Sequence, residues 1–194
     1  MNILVLAPHP FYQERGSPIA LSMILTALSN RGDKTHVIVY HEGRGVNYNN
    51  TTIYRSPKIP FLNHIRPGFS WKKVICDVFM FFKAIHLVLK NHYHVVHAVE
   101  ESVYIALILK WVFKIHYVYD MDSSLAQQMI ETYPSLRHLD FLLNFFERLA
   151  VRNAIAVVPV CDALAEHINK YGPKKVVVLQ DVSLLDGQSV VKTI

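Results

Sequence analysis

Short runs rich in Val, Ile and Tyr alternate with longer amphipathic runs along nearly the whole chain. The short runs lie at 2–7, 35–40, 51–55, 93–98, 116–120, 154–158 and 175–179, and several are continuously apolar, as strands buried on both faces are. The longer runs, 18–31, 70–90, 102–114, 137–152 and 161–171, carry helical spacing. Strand followed by helix, repeated, builds right-handed βαβ units. The chain is therefore α/β, a Rossmann-like doubly wound parallel sheet flanked by helices. Gly43, Gly45, Pro57, Pro60, Pro67 and Gly68 mark 43–50 and 56–69 as loops. No repeat, low-complexity run or internal domain boundary interrupts the pattern.

Composition narrows the partners. With 52% hydrophobic and 18% charged residues, the 194-residue chain is too apolar for disorder and long enough to bury a core. Cys76 and Cys161 each sit in an apolar stretch and form no CxxC, which fits buried thiols in a reduced, cytoplasmic setting. The net charge of +5 suits anionic substrates or an anionic membrane surface. The basic residues are scattered rather than arrayed on one element, which argues against nucleic acid. The apolar N-terminus has no basic leader, so no secretory signal is expected. In 71–90, Asp77, Lys83 and His86 interrupt the apolar run too early for a membrane span. At helical spacing Trp71, Ile75, Val78, Phe82, Ile85 and Leu89 form a stripe flanked by Lys72, Lys73, Lys83 and Lys90. The stripe either packs on the sheet or lies on a membrane surface, and packing is the expectation.

The first strand feeds the first helix through a long loop, "PHPFYQERGSP". Ser17 is a suitable N-cap, Pro18 fits the first helical position and Gly32 follows the last turn. Gly16 then lies at a helix mouth whose free N–H groups and dipole favour an anion, with Arg15 beside it. Alternatively, Gly16 only makes a turn and Arg15 is solvated. Other strand ends on the same rim carry polar groups: Glu100 and Glu101 after 93–98, then Asp120, Asp122, Ser123 and Ser124 after 116–120. Asp162 and Asp181 follow the last two runs. Each is an ordinary cap taken singly; together they line the rim where open parallel sheets bind ligands.

Several chemistries are excluded by what is missing. A dinucleotide fingerprint needs three spaced glycines after the first strand, and only Gly16 is there; no Walker loop or GxSxG elbow occurs. "ILVLAPHP" is similar to the start of zinc-dependent N-acetylglucosaminyl deacetylases, but Phe11 and Tyr12 stand where metal-binding aspartates belong. His92, His94 and His97 in "HYHVVH" have metal-like alternation without a carboxylate or Cys at ligand spacing, so no metal is expected.

Four segments in order, "ILVLAPHPFYQERGSPIALSMILTALSNRG", "HVVHAVEESVYIALIL", "YVYDMDSSLAQQM" and "ERLAVRNAIAVVPVCDALAEH", resemble the N-terminal domain of family-four glycosyltransferases. The resemblance implies one half of a two-domain GT-B fold and a retaining, hexosyl-type sugar transfer from a nucleotide-sugar to an acceptor hydroxyl. The nucleotide-sugar is then a co-substrate and no cofactor is required. It implies that 1–180 form the acceptor-side domain and that 181–194 begin a linker toward a donor-binding domain. That domain would also supply a Glu pair eight positions apart, which no two glutamates here provide.

Within the resemblance, Arg15, Gly16 and Ser17 face the donor diphosphate, and Glu100, Glu101, Asp120, Asp122 and Ser123 contact substrate. Glu100, Asp120 and Asp122 are the catalytic candidates. Two positions depart from the family pattern: Val99 stands where a His near the transferred sugar is common, and Asp122 replaces another His. Imidazole-dependent chemistry is therefore not expected. The acceptor would be a sugar or a lipid-linked molecule at the inner face of a membrane, touched peripherally. An exposed cleft wall would favour self-association. The competing reading is a non-catalytic acceptor-binding or membrane-docking subunit of a transferase split over two chains.

Overall fold

The computed structural model describes residues 1–11, 16–43, 45–58 and 70–180. Among them, six strands form one parallel sheet: β1 (Asn2–Ala7), β2 (Lys34–Val39), β3 (Thr51–Arg55), β4 (Val95–Val99), β5 (His116–Met121) and β6 (Ala156–Pro159). Their spatial order is β3-β2-β1-β4-β5-β6, and every pairing is parallel. The order reverses between β1 and β4, which makes the carboxyl end of those two strands the switch point of the sheet.

Among the described residues six α-helices flank the sheet: α1 (Gly16–Asn30), α2 (Trp71–Lys90), α3 (Val103–Phe113), α4 (Leu125–Thr132), α5 (Asp140–Asn153) and α6 (Asp162–Asn169). Side chains alternate along each strand, so the two sheet faces build separate cores. Ile3, Val5, Ala7, Val37 and Val39 pack under Leu21 and Leu25 of α1. Leu4, Leu6, Ile38, Tyr40, Val96 and Tyr119 pack under α2, α3 and α5. Burying an aliphatic side chain stabilises by about 1.5–3 kcal/mol, so these central strands anchor the domain.

Some expectations shift. The helix expected at 18–31 begins at Gly16. The run at 93–98 becomes strand only from Val95, because Tyr93 packs into the core and His94 Nδ1 accepts a hydrogen bond from the Asn2 amide at 2.9 Å. His92 and His94 thus lie before the strand, away from His97. The segment 175–179 runs beside β6 with one bridge, Val157 to Val176, and short backbone bonds, but forms no regular ladder. Its partner strand is four residues long and ends in Pro159, which has no N–H to give. Cys76 is buried as expected, whereas Cys161 is exposed at the entry to α6. Asp181 and 182–194 fall outside the described residues.

The largest reversal concerns α2. Its buried residues are Lys73, Cys76, Met80, Ala84 and Leu87, while Trp71 and Phe82 are each 62% exposed and Val78 and Leu89 also face out. The helix is apolar on two faces. Ile75 and Ile85 of the expected stripe do pack against the core, while its aromatic members stay outside.

Candidate functional site

The carboxyl ends of β1, β4 and β5 share one rim. At its first position Arg15 lies outside the described residues, and Gly16 and Ser17 enter only through their backbone. Helix α1 starts at Gly16, so Ser17 is its second residue. That first turn carries no acidic side chain, so nothing in it opposes an anion at the helix mouth. Phe11 is fully buried beside the loop after β2. Gly43 permits this: its φ is 111°, and a Cβ there would fall 1.6 Å from the Phe11 carbonyl oxygen.

The chain leaves β4 through Val99, which is buried and offers no polar group. Glu100 follows with φ 47°, a left-handed conformation unusual for a non-glycine residue and typical of constrained functional turns. A 3-10 turn, Glu100–Ser102, then opens α3. Ser102 pins the turn by donating its hydroxyl to Leu6 O at 3.0 Å and Val99 O at 2.7 Å. Lys73, in the first turn of α2, forms an ion pair with Glu101 and lies 3.9 Å from Glu100.

Burial and the neighbouring Glu101 raise the Glu100 carboxyl well above the ordinary range, Lys73 only partly offsetting them. Burial alone would lower the Lys73 ammonium, but Glu101, Glu100 and Asp77 outweigh it and hold it above its usual value. Asp77 is pushed up to about 7 by burial and by Glu101. The Tyr40 hydroxyl donates to Asp77 Oδ1 at 2.6 Å.

On β5, Asp120 accepts a 3.0 Å hydrogen bond from His97 Nε2 of β4. Asp122 is close enough to Glu100 to raise its pKa. A cleft of about 70 Å³ brings Asp120 and Asp122 against Ala20 and Met23 of α1. Ser123 is turned to a structural task, accepting from Gln128 Nε2 at 2.7 Å. Ser124 caps α4 and donates to buried Glu147 of α5 at 2.9 Å, fixing α4 beside the rim.

The rim thus joins Glu100, Glu101, Asp120 and Asp122. It also contains three groups that strand-end reasoning missed. Lys73 and Asp77 come from a helix whose sequence reads as a packing element. His9 is near enough to Lys73 and Asp120 to feel both charges, and neither ring nitrogen has a side-chain hydrogen-bond partner among the described residues. Burial drives its pKa down to about 4 against a weak opposing pull from the Pro10 backbone. Its position right after β1 is the one sequence signal that could have singled it out.

Beside this cluster a cavity of about 420 Å³ opens between α2, α4 and α5. Lys73, Asp77 and Glu101 form one side. Leu125, Met129, Leu143 and Phe146 supply most of the remaining, largely apolar lining, which Tyr104 and Gln128 also join.

The profile of the family described as Glycosyltransferase Family 4 matches residues 16–180. No curated protein sequence matches the chain. Among solved structures the fold is similar to sucrose-phosphate synthase from Thermosynechococcus elongatus, with 15% identity, TM-score 0.66, and coverage of 92% of this chain and 47% of that one. It is also similar to UGT89C1 from Arabidopsis thaliana complexed with UDP, with 12% identity, TM-score 0.58, and coverage of 94% and 53%. A UGT transferase from Siraitia grosvenorii in complex with UDP gives 10% identity, TM-score 0.57, and coverage of 96% and 52%. At such identities the likeness is one of fold. The chain spans about half the length of these three solved structures.

Proposed function

The chain belongs to glycosyltransferase family 4, and from that premise we propose that it supplies the acceptor-side half of a retaining transferase. That enzyme moves a hexose from a nucleotide-sugar to an acceptor hydroxyl. The observation that carries the reading is Glu100, an acid in a left-handed turn at the switch point of the sheet, set beside Lys73, Glu101 and Asp122. A carboxyl with a raised pKa is partly protonated near neutrality, so it can donate a hydrogen bond to a sugar oxygen or accept one from a hydroxyl.

In this reading the acceptor oxygen bonds to the anomeric carbon as the bond to the donor diphosphate breaks. The acceptor proton leaves with the departing phosphate oxygen. Arg15, Gly16 and Ser17 at the mouth of α1 stabilise the developing negative charge, and Asp120 and Asp122 take substrate hydroxyls. The nucleotide-sugar is a co-substrate and no further cofactor takes part. The enzyme works at the cytoplasmic face of a membrane that it touches peripherally.

Glu100→Gln, in an enzyme assembled from this chain and a donor-binding half, should lower kcat about a hundredfold with an unchanged melting temperature. Nucleotide release from UDP-, GDP- and ADP-sugars measures it, and an unaltered rate overturns the assignment of Glu100. A non-catalytic acceptor-binding or docking subunit is the second reading. It is favoured by Val99, an apolar side chain where many family members place an imidazole.

A further inference from the structure

We propose that the cavity between α2, α4 and α5 is the acceptor subsite, and that it takes an uncharged hydroxylated amphiphile: a molecule with one apolar chain and a hydroxyl-bearing head. The inference rests on the reading of this chain as the acceptor-side half and names the class of its acceptor. The cavity's two sides differ in kind. Leu125, Met129, Leu143 and Phe146 offer carbon surface, whereas Lys73, Asp77 and Glu101 are gathered opposite by their mutual contacts. Glu101 adjoins Glu100, so a head group held on the polar side lies next to the transfer site.

The charge selects the head. Lys73 is already committed to Glu101 and Glu100, and Asp77 adds a third carboxyl, so among the described residues the polar side has no spare positive charge for an anionic head. A hydroxyl suits it, since carboxyl oxygens accept from hydroxyls and a protonated Asp77 can donate in return. A polysaccharide does not suit the other side, where Gln128 and Tyr104 are too few to partner the many hydroxyl groups it would bury. A volume of about 420 Å³ is within the usual range of small-molecule sites, ~300–1,000 Å³. Trp71 and Val74 of α2 and Phe141 and Phe145 of α5 leave exposed apolar surface on the two helices that form the cavity walls. A chain could therefore enter from a bilayer as well as from solution.

Calorimetric titration of the 194-residue protein with 1-O-octylglycerol, below its micelle concentration, tests the proposal. Saturable binding is expected, at least about tenfold tighter than for glycerol, which has the head without the chain. Octyl sulfate, with a chain of the same length and an anionic head, should bind at least about tenfold more weakly than octylglycerol. Leu143→Trp and, separately, Met129→Trp should fill the cavity and weaken octylglycerol binding about tenfold or more at unchanged melting temperature. Octylglycerol held in phosphatidylcholine vesicles should also be bound if the source is a bilayer; binding of the free monomer alone assigns a soluble aglycone to the same cavity.

No heat with octylglycerol, equal binding of glycerol or octyl sulfate, or full affinity in both folded Trp variants overturns the proposal. The two readings fail in distinguishable ways. If octylglycerol binds as described but the assembled enzyme moves no sugar, the transferase reading falls, and with it the acceptor role of a cavity that still binds the amphiphile. If sugar reaches a chainless acceptor at a rate that neither Trp variant alters, the subsite falls and the transferase stands.

Discussion

Asp77 shows how far the interior moves a group from its ordinary chemistry. Its carboxyl titrates near 3.8 when unperturbed and near 7 in the fold, with burial the largest cause and Glu101 the next. Between these values the folded chain keeps a proton that the unfolded chain has released. The contribution of Asp77 to stability is therefore fully present below about pH 4, declines as pH rises through the Asp77 value, and levels off above it. Taken whole, the shift would be worth about 4 kcal/mol, and partial exposure reduces this to roughly 2 kcal/mol. Asp77→Asn keeps an oxygen for the Tyr40 hydroxyl and removes the charge. It should raise stability at pH 8 by about 2 kcal/mol and flatten the decline between pH 4 and 7, read by denaturant melts across pH. Parallel curves for parent and variant would refute the assignment.

Asp77 was invisible in the sequence, where it reads only as a charge interrupting an apolar helix. Glu100, Glu101, Asp120 and Asp122 were visible because strand ends in a parallel sheet point to one rim. The left-handed turn at Glu100 and the isolation of His9 were not, since both depend on how several chain segments meet.

At the scale of elements, strand positions were legible because buried parallel strands are continuous apolar runs, and all but the last became regular strands. The face a helix buries was not legible where both faces are apolar. In α2 Trp71, Val78, Phe82 and Leu89 of the stripe read as the packing face lie outside while Ile75 and Ile85 pack on the core, and Lys73, read as a flanking surface charge, is buried in an ion pair. Helix α4 was missed because it is only eight residues long and depends on Ser124 and Glu147 for its start. The exposed stripe makes the proposed membrane contact, if it forms, a matter of aromatic insertion more than of lysine charge. The chain should float with vesicles containing anionic lipid, and Trp71→Ser with Phe82→Ser should cut recovery several-fold at unchanged melting temperature. Absence of flotation by the parent chain, or equal recovery of the variant, would remove the membrane from the proposed function. Among the described residues no helix is long and apolar enough to cross a membrane, so such contact would be peripheral.

At the scale of the molecule, the polar groups of the site belong to one rim of one sheet. The mouth of α1, the Glu100 turn and Asp120 form a single wall, and these 194 residues span about half the length of the transferase chains they resemble in fold. A diphosphate lying against one wall stays in contact with water, where unit charges 4 Å apart interact by only about 1 kcal/mol. Stabilisation of a leaving diphosphate needs fixed dipoles in a water-excluded site, which calls for a second wall. An acceptor chain in the cavity needs no such wall, because α2, α4 and α5 already enclose it. The two ligands should therefore separate. The 194-residue protein should bind octylglycerol yet give no saturable heat with UDP-, GDP- or ADP-glucose, and should transfer no sugar. Adding a donor-binding half should restore transfer and make donor binding measurable, since both walls then face the phosphates. Tight donor binding, or turnover by these 194 residues unaided, would show that one wall suffices and would overturn the division of labour proposed between the two halves.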